Sequence, residues 1–118
     1  MTDYQRFRPL FEQALDPRFY NIEYLDSLVL SMRAQIWFSD NAAIVTEVKT
    51  YPSGATAICG VIAAGDLGEI VNVLIPKAEE WGRSLGCTFA MIESRQGWAR
   101  QMKQHGYAPF QVSIVKEL

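Results

Sequence analysis

Residues 57–64, Ala-Ile-Cys-Gly-Val-Ile-Ala-Ala, form a continuous run of apolar and small side chains. A strand with one face in solvent alternates apolar and polar residues, so a run without alternation favours a central strand that is covered on both faces. It falls far short of the roughly 20 apolar residues that span a bilayer. The run therefore predicts a sheet with further structure packed on either side.

The segment after this run has a helical period. Beyond Gly65 and Asp66, apolar residues recur along one stripe, formed by Leu67, Ile70, Val71, Leu74, Ile75, Ala78, Trp81 and Leu85. Pro76 interrupts the stripe, so either the helix kinks there, or one helix ends near Leu74 and another begins at Pro76. Both alternatives predict helical structure between two strands.

A second buried strand is predicted after that helix. Gly86 is the expected end of the helix, and residues 87–93 are mostly apolar. Strand, helix and strand over residues 55–93 therefore predict a right-handed crossover that joins two parallel strands.

Two helices are predicted at the start of the chain. The first carries apolar residues at helical spacing from Phe7 to Ala14 and is expected to begin at Pro9, where proline is tolerated in a first turn. The second has Asn21 as its N-cap and a buried face formed by Ile22, Leu25, Leu28, Val29 and Met32.

Three β-type runs follow, at residues 35–38, 43–51 and 55–63, separated by turn residues at 39–41 and 52–54. They predict an antiparallel meander. A last helix is expected over residues 95–105, closed by Gly106, and a last strand from Tyr107 to Val115. The prediction is an α/β (α+β) fold, a mixed and mostly antiparallel sheet with flanking helices, in one domain over residues 1–118.

Composition excludes several classes of function. The 118 residues are 49% hydrophobic and carry a net charge of −2, without the basic excess expected of a protein that binds nucleic acid or a membrane surface. The start of the chain lacks a signal-peptide pattern, so a soluble, cytoplasmic protein is expected. Cys59 and Cys87 lack metal-ligand spacing and His105 is the single histidine, so no metal site is predicted.

The order of elements resembles the GNAT acetyltransferase superfamily over about residues 43–118. Residues 78–87 resemble the family's third helix running into its fifth strand, and residues 95–107 resemble its fourth helix with the closing Gly106-Tyr107 pair. Residues 115–118 are similar to its final strand. Its first strand has no clear counterpart, so the resemblance implies a truncated GNAT-like fold.

A narrower similarity points to phage proteins. Residues 80–83, Glu-Trp-Gly-Arg, together with residues 94–100, Ser-Arg-Gln-Gly-Trp-Ala-Arg, and the pair Gly106-Tyr107, are similar to short GNAT-like proteins of phage and prophage particle-assembly clusters. That similarity implies a host cytoplasmic or virion location.

The turn at residues 63–69 departs from the family. Active members carry a Gln/Arg-x-x-Gly-x-Gly/Ala turn whose N–H groups bind the coenzyme A pyrophosphate. This chain has Gly65 and Gly68 as the candidate cofactor-binding residues, but no basic residue, and it offers Asp66 and Glu69 where phosphates would lie. The alternative is a glycine turn capped by Asp66, which would repel an anionic ligand.

The last helix departs from the family as well. Many members place a tyrosine, the proton donor to the departing thiolate, four residues before the closing glycine, where this chain has Met102. A thioether cannot donate a proton, so Tyr107 or water would have to replace it. Met102 pairs with Trp98 at helical spacing, which favours core packing.

Glu93 is the candidate catalytic residue, a general base at the end of the fifth strand of the family's pattern. The alternative is a surface ion pair with Arg95 or Arg100. Glu47, in the middle strand, either points into the opening beside that strand, where the resemblance implies that the substrates bind, or lies on a solvated face. Four basic residues, Arg83, Arg95, Arg100 and Lys103, form either solvated surface or a contact to protein or phosphate.

The preferred hypothesis is a catalytically degenerate GNAT-like domain that acts as a binding or assembly component. One alternative is an N-acetyltransferase, which would use acetyl-CoA at an atypical turn, and another is a small regulator or inhibitor of a host protein. The preferred hypothesis expects no resident cofactor and a protein partner, with a homo-oligomer as an open alternative. No membrane or nucleic-acid partner is predicted.

Overall fold

The computed structural model describes residues 2–93 and 97–118 and contains one four-stranded sheet in the order β1-β2-β3-β4. The strands are Gln35–Phe38 (β1), Ala42–Thr50 (β2), Thr56–Gly65 (β3) and Phe89–Ile92 (β4). The first three are antiparallel neighbours, and β4 pairs parallel with β3. The predicted mixed, mostly antiparallel sheet is confirmed.

Helices precede the sheet, cross between β3 and β4, and follow β4. They are Thr2–Ala14 (α1), Ile22–Leu30 (α2), Leu67–Glu69 (α3), Ile75–Ser84 (α4) and Gly97–Gln101 (α5). A π turn, Ile70–Leu74, joins α3 to α4, and a 3-10 turn, Lys103–His105, follows α5. The expected crossover between parallel strands is therefore present.

Alternate residues of β2 divide the core into two layers. Ala43 and Val45 pack with buried residues of α1 and α2, whereas Ala42 and Ile44 pack with the π turn and α4. Successive side chains of a strand point to opposite faces, so helices cover both faces of the sheet. That is the environment which the unbroken apolar run in β3 predicts.

The first helix begins earlier than expected. It starts at Thr2 and contains Pro9 in its interior, so the prediction that it begins at Pro9 is wrong. A proline there removes the hydrogen bond to the carbonyl of Gln5. Gln5 is exposed, so water can satisfy that carbonyl, while Phe7 and Phe11 remain buried on the inner face.

The second helix follows its prediction except at its end. The Asn21 side chain caps α2 by accepting a hydrogen bond from the Tyr24 N–H at 3.0 Å. Met32 lies beyond the C-cap Ser31 with a φ of 61° and is 86% exposed, so its placement on the buried face is wrong. The helix ends before its stripe reaches that residue.

The π turn explains how the crossover helix passes Pro76. The Ile75 N–H donates to the carbonyl of Ile70, five residues back, and Leu74 and Ile75 keep helical backbone angles, so the π turn runs directly into α4 with Pro76 as its second residue. The structure therefore lies between the two alternatives: α4 begins beside Pro76, but the helical conformation is continuous. Gly86, with a φ of 89°, ends α4, as expected.

The C-terminal part differs most from its prediction. The α5 helix covers less than the predicted residues 95–105, and Arg95 lies outside the described residues. Residues 107–118 form neither helix nor strand, so the predicted strand from Tyr107 to Val115 is wrong. A strand needs a paired neighbour, and this segment, although β-like in sequence, has no strand partner in the described structure.

Candidate functional site

The sheet opens between β3 and β4. Their pairing runs from Ala57 opposite Phe89 to Gly60 opposite Ile92, whereas β3 continues to Gly65. A bulge leaves Val61 without a partner in the register of β2, which bends β3 at the same level. The β3 strand therefore extends past the end of β4, and the space beside that extension is the opening.

A groove of about 400 Å³ lies beside the start of the crossover helix. Leu67, Gly68, Val71 and Asn72 form one wall, and Gln101, Gln104 and His105 form the other. Arg100 and Lys103 line an adjoining depression that shares Gln101 and Gln104 with the groove. Amides, an imidazole and two nearby cations suit a polar, anionic ligand more than an apolar one.

Asp66 acts as the N-cap of the crossover helix. Its carboxylate accepts a hydrogen bond from the Glu69 N–H at 2.9 Å. This is the glycine turn capped by Asp66 that the sequence offered as the alternative to a phosphate cradle. Gly68 is exposed in the groove, where a Cβ would lie 3.2 Å from the Asp66 carboxylate, so an anion at Gly68 would meet that charge.

Glu69 points away from the groove toward the β1–β2 turn. Its carboxylate accepts hydrogen bonds from the Ser39 hydroxyl at 2.5 Å, the Asn41 N–H at 3.0 Å and the Asn41 amide at 3.1 Å. These donors hold the pKa of Glu69 below its usual range. Glu69 therefore joins the helix to the sheet, a role that no sequence signal indicated.

Gly65 is required by the backbone around it. Its φ is +103°, and a Cβ there would lie 2.2 Å from the carbonyl oxygen of Asn41. Only glycine fits a left-handed conformation at such a close approach. The backbone contact with Asn41 is by itself enough to require glycine at position 65. The role of Gly65 in cofactor binding stays a prediction.

Glu93 lies at the mouth of the opening and pairs with Lys49. The Lys49 ammonium donates to the Glu93 carboxylate at 2.8 Å, and this bond raises the pKa of Lys49. An acceptor amine would have to displace the lysine before Glu93 acted on it as a base. Lys49 was not among the partners expected from the sequence, and Arg95, which was, lies outside the described residues. The catalytic role of Glu93 stays a prediction.

The face of the sheet beside Glu93 carries a small sulfur cluster. The Tyr51 hydroxyl donates to the Met91 sulfur at 3.3 Å and lies 4.0 Å from the buried Cys59 thiol. Burial raises the pKa of Cys59, which makes the thiol a poor nucleophile. Glu47 lies opposite Cys59 in the register and is half-buried.

The last helix places no proton donor at the expected position. Met102 is 1% exposed and packs in the core, as predicted. The Tyr107 hydroxyl instead donates to the Glu79 carboxylate of α4 at 2.5 Å, and burial together with this carboxylate raises the pKa of Tyr107. Tyr107 is therefore bound to α4, a contact that the sequence did not indicate.

The described residues contain neither a metal-binding cluster nor a membrane-spanning helix. Within 2–93 and 97–118, no group of three or more histidine, cysteine or acidic side chains converges on a point where an ion would bind. None of the helices in that part of the chain has the length and apolar character needed to cross a bilayer.

Comparison with known proteins identifies the fold. No family model and no curated protein matches the sequence. An acetyltransferase of Trypanosoma brucei superposes with a TM-score of 0.67 at 13% identity, over 99% of this chain and 94% of that one. A ribosomal-protein-alanine N-acetyltransferase of Brucella melitensis gives a TM-score of 0.69 at 16% identity, over 98% and 94%.

A third solved structure has a different acceptor. The aminoglycoside 6'-N-acetyltransferase of Acinetobacter haemolyticus gives a TM-score of 0.70 at 14% identity and covers 100% of this chain and 95% of that one. At these identities the likeness concerns the fold alone. The chain has the fold of the GNAT acetyltransferases, as the sequence predicted.

Proposed function

We propose that this chain is a catalytically degenerate GNAT-like domain that acts as a binding or assembly component. The observation that carries the proposal is that groups near the opening already have partners within the protein. Glu93 pairs with Lys49, Tyr107 donates to Glu79, and Met102 is buried. A base or an acid would have to leave its partner before it could move a proton for a substrate.

The turn at the start of the crossover helix supports the same proposal. Asp66 already caps the helix, and its charge opposes an anion at the site where the fold would bind pyrophosphate. Gly65 is explained by its contact with Asn41 and needs no ligand. Acetyl-CoA therefore has weak support as a cofactor.

The proposal is tested by measuring thermal stability with and without acetyl-CoA or CoA. The expected result is no saturable rise in melting temperature, because a ligand that does not bind the folded state cannot stabilise it. A saturable rise that disappears in Gly68→Asp would overturn the proposal. Gly97→Asp is the control, since Gly97 also lies at a helix start but has nothing within 4 Å of its Cβ position.

An acyl-CoA-dependent N-acetyltransferase is the second candidate, and the groove of about 400 Å³ beside Gly68 favours it. In this case the cofactor lies along Gly65 and Gly68 and Glu93 is the base. Acetyl-CoA consumption on a panel of amines tests it, with Glu93→Gln expected to reduce turnover. Lys49→Met, which frees Glu93, is expected to raise turnover if Glu93 is the base.

A binding role has two alternatives, that of a component of a phage particle and that of a regulator of a host protein. A particle component is recovered with purified virions, whereas a regulator is recovered from host lysate in complex with its target. The similarity of residues 80–83 and 94–100 to phage assembly proteins supports the first. Absence of the chain from purified particles would exclude that role.

A further inference from the structure

We infer that two copies of this chain associate through the free edge of β1, where the two β1 strands pair antiparallel and join both sheets into one. The inference goes beyond the proposed function and holds whether or not the chain binds CoA. It follows from the backbone groups at that edge, from the exposed side chains beside it and from the charges at the two ends of the strand.

The outer edge of β1 has unpaired backbone groups. In the described residues β1 is the first strand of the sheet and pairs on one side only, with β2. The Ser39 N–H donates to the Ala42 carbonyl at 2.9 Å, so the hydrogen-bonded pairs of this ladder alternate from that point and include Trp37. The N–H and C=O groups of Ile36 and Phe38 therefore point to the open side.

The edge also lacks the residues that normally protect an unpaired strand. Natural sheets block such an edge with lysine, with inward-pointing charges or with proline. Residues 35–38 are Gln-Ile-Trp-Phe, without a charged side chain or a proline. An uncharged edge with free hydrogen-bonding groups is able to receive another strand.

Met32 lies just before β1 and is strained and exposed. The Arg33 N–H donates to the Leu28 carbonyl at 3.2 Å, which is the hydrogen bond of a Schellman helix ending. Glycine is preferred at the left-handed position of that motif, where this chain has Met32 with a φ of 61°. Its side chain is 86% exposed, and that of Leu30 is 72% exposed. A methionine that strains its own backbone and gains little burial indicates a surface that a partner covers.

A second copy fits this edge because β1 is complementary to itself about Trp37. When two β1 strands run antiparallel with Trp37 opposite Trp37, Ile36 of each copy lies opposite Phe38 of the other, and their outward groups bond to each other. The two tryptophans form the close, non-hydrogen-bonded pair at the two-fold axis, where an aromatic pair stabilises a sheet. Each ring is already oriented by a hydrogen bond from its Nε1–H to the Thr46 hydroxyl at 2.9 Å.

The same register brings opposite charges together at both ends of the paired strands. It places residues 32–34 of one copy beside residues 40–42 of the other, in the β1–β2 turn. Arg33 and Asp40 are exposed, and in the described part of the chain neither forms an ion pair within its own copy. The two-fold axis repeats the contact, so Arg33 of each copy meets Asp40 of the other. Such complementary charges fix partner and register.

The interface is small, so the expected dimer is weak. Two strands of four residues and a few exposed side chains bury less than the roughly 1,200–2,000 Å² of a standard specific interface. The dimer is therefore expected to dissociate on dilution, and every test must cover a range of concentrations.

Analytical ultracentrifugation over a dilution series tests the inference by reversing the charges. Arg33→Glu and Asp40→Lys each place like charges at both ends of the paired strands, and each alone is expected to weaken the dimer about tenfold or more. An equimolar mixture of the two variants is expected to recover the wild-type association, because both contacts of the heterodimer again join opposite charges.

Lys116→Glu is the matched control for the charge reversal. It makes the same change of charge as Arg33→Glu, at an exposed position in the segment after Tyr107. The dimer of this variant is expected to match that of the wild type. Circular dichroism of each variant verifies that it folds.

Met32→Gly separates an interface role from a structural one. Glycine suits the left-handed backbone, so the variant is expected to raise the melting temperature of the dilute monomer while it weakens the dimer. A residue that served only its own copy would not affect association. Hydrogen exchange reports on the edge itself, since the amides of Ile36 and Phe38 are expected to exchange more slowly as the concentration rises.

Two results would overturn the inference. One is a wild-type chain that stays monomeric at every concentration. If the amides of Ile36 and Phe38 were then protected, the chain would cover its own edge, and if they exchanged freely, the edge would be left to a strand of another protein. The other result is a dimer that Arg33→Glu does not weaken or that the mixture of variants does not restore.

Discussion

The turn at residues 65–69 and the segment after Tyr107 differ in whether their side chains have partners within the protein. At the turn, the carboxylates of Asp66 and Glu69 accept hydrogen bonds from the protein, and the backbone of Gly65 contacts that of Asn41. After Tyr107, the apolar side chains Phe110 and Ile114 lie in solvent.

That difference reverses the usual expectation for this fold. At the start of the crossover helix, where the family resemblance places a ligand, the carboxylates of Asp66 and Glu69 already have partners within the protein. The segment that the resemblance treats as a structural strand is the part left open.

The largest expected effect tests the close contact at the turn. Gly65→Ala would place a Cβ 2.2 Å from the Asn41 carbonyl, and the loss of unfolding free energy is expected to exceed about 4 kcal/mol, the range reserved for severe lesions. Gly54→Ala is the matched control, because Gly54 has a φ of +91° with nothing within 4 Å. It is expected to cost about 1–2 kcal/mol. Urea denaturation measures both losses. Equal losses would show that the cost comes from the positive φ and not from the contact with Asn41.

Two phenylalanines compare the packed and open regions directly. Phe11 is 0% exposed and Phe110 is 75% exposed. Phe11→Ala is expected to lower the unfolding free energy by about 4 kcal/mol, whereas Phe110→Ala is expected to change it by less than about 0.5 kcal/mol. Chemical denaturation measures both. A large loss at Phe110 would mean that the segment already packs on its own domain.

Glu69 provides a smaller and pH-dependent effect. Glu69→Gln weakens the bonds to Ser39 and Asn41 and is expected to lower the stability at neutral pH by less than the glycine and phenylalanine changes above. The folded pKa of Glu69 is lowered, so its stabilisation is present above its usual pKa and is lost as pH falls below about 4.5. The variant is expected to show a flatter stability curve through that acidic range. An unchanged curve would mean that Glu69 is not bonded in solution.

The smallest effect is expected at the surface ion pair. Lys49 and Glu93 are 39% and 56% exposed, and exposed pairs contribute about 0.2–1 kcal/mol. Lys49→Met is therefore expected to change stability by less than about 1 kcal/mol, and Glu93→Gln similarly. Their double-mutant cycle measures the coupling, and a coupling near zero would free Glu93 for chemistry. That result would favour the acetyltransferase candidate.

Much of the fold follows from local pattern. The Asn21 cap, the glycine at the end of α4 and the unbroken apolar run in β3 depend on residues close in sequence, and each is confirmed. The strand from Tyr107 to Val115 was predicted from the same kind of pattern, but pairing is a property of two segments. Alternation of apolar and polar residues indicates that a segment can form a strand, but it does not show which other segment that strand would pair with.

The contacts of the candidate site were less predictable. Glu69 bonds to Ser39 across 30 positions, and Tyr107 bonds to Glu79 across 28. Helix spacing and charge patterns act over a few residues, so neither contact leaves a local signal. The sequence located the glycine turn capped by Asp66, but the side-chain partners required the fold.

The π turn at Ile70–Leu74 has a consequence for how this helix evolves. It holds one residue more than an α turn needs, and one residue of an α-helix corresponds to a rotation of about 100°. Loss of a single codon within the turn would therefore return it to a regular α-helix and leave the face with Ala78 packed on the sheet. The same loss from a regular α turn would rotate the two ends of the helix against each other, so the π turn is a place where the crossover can change its length by one residue and keep its core face.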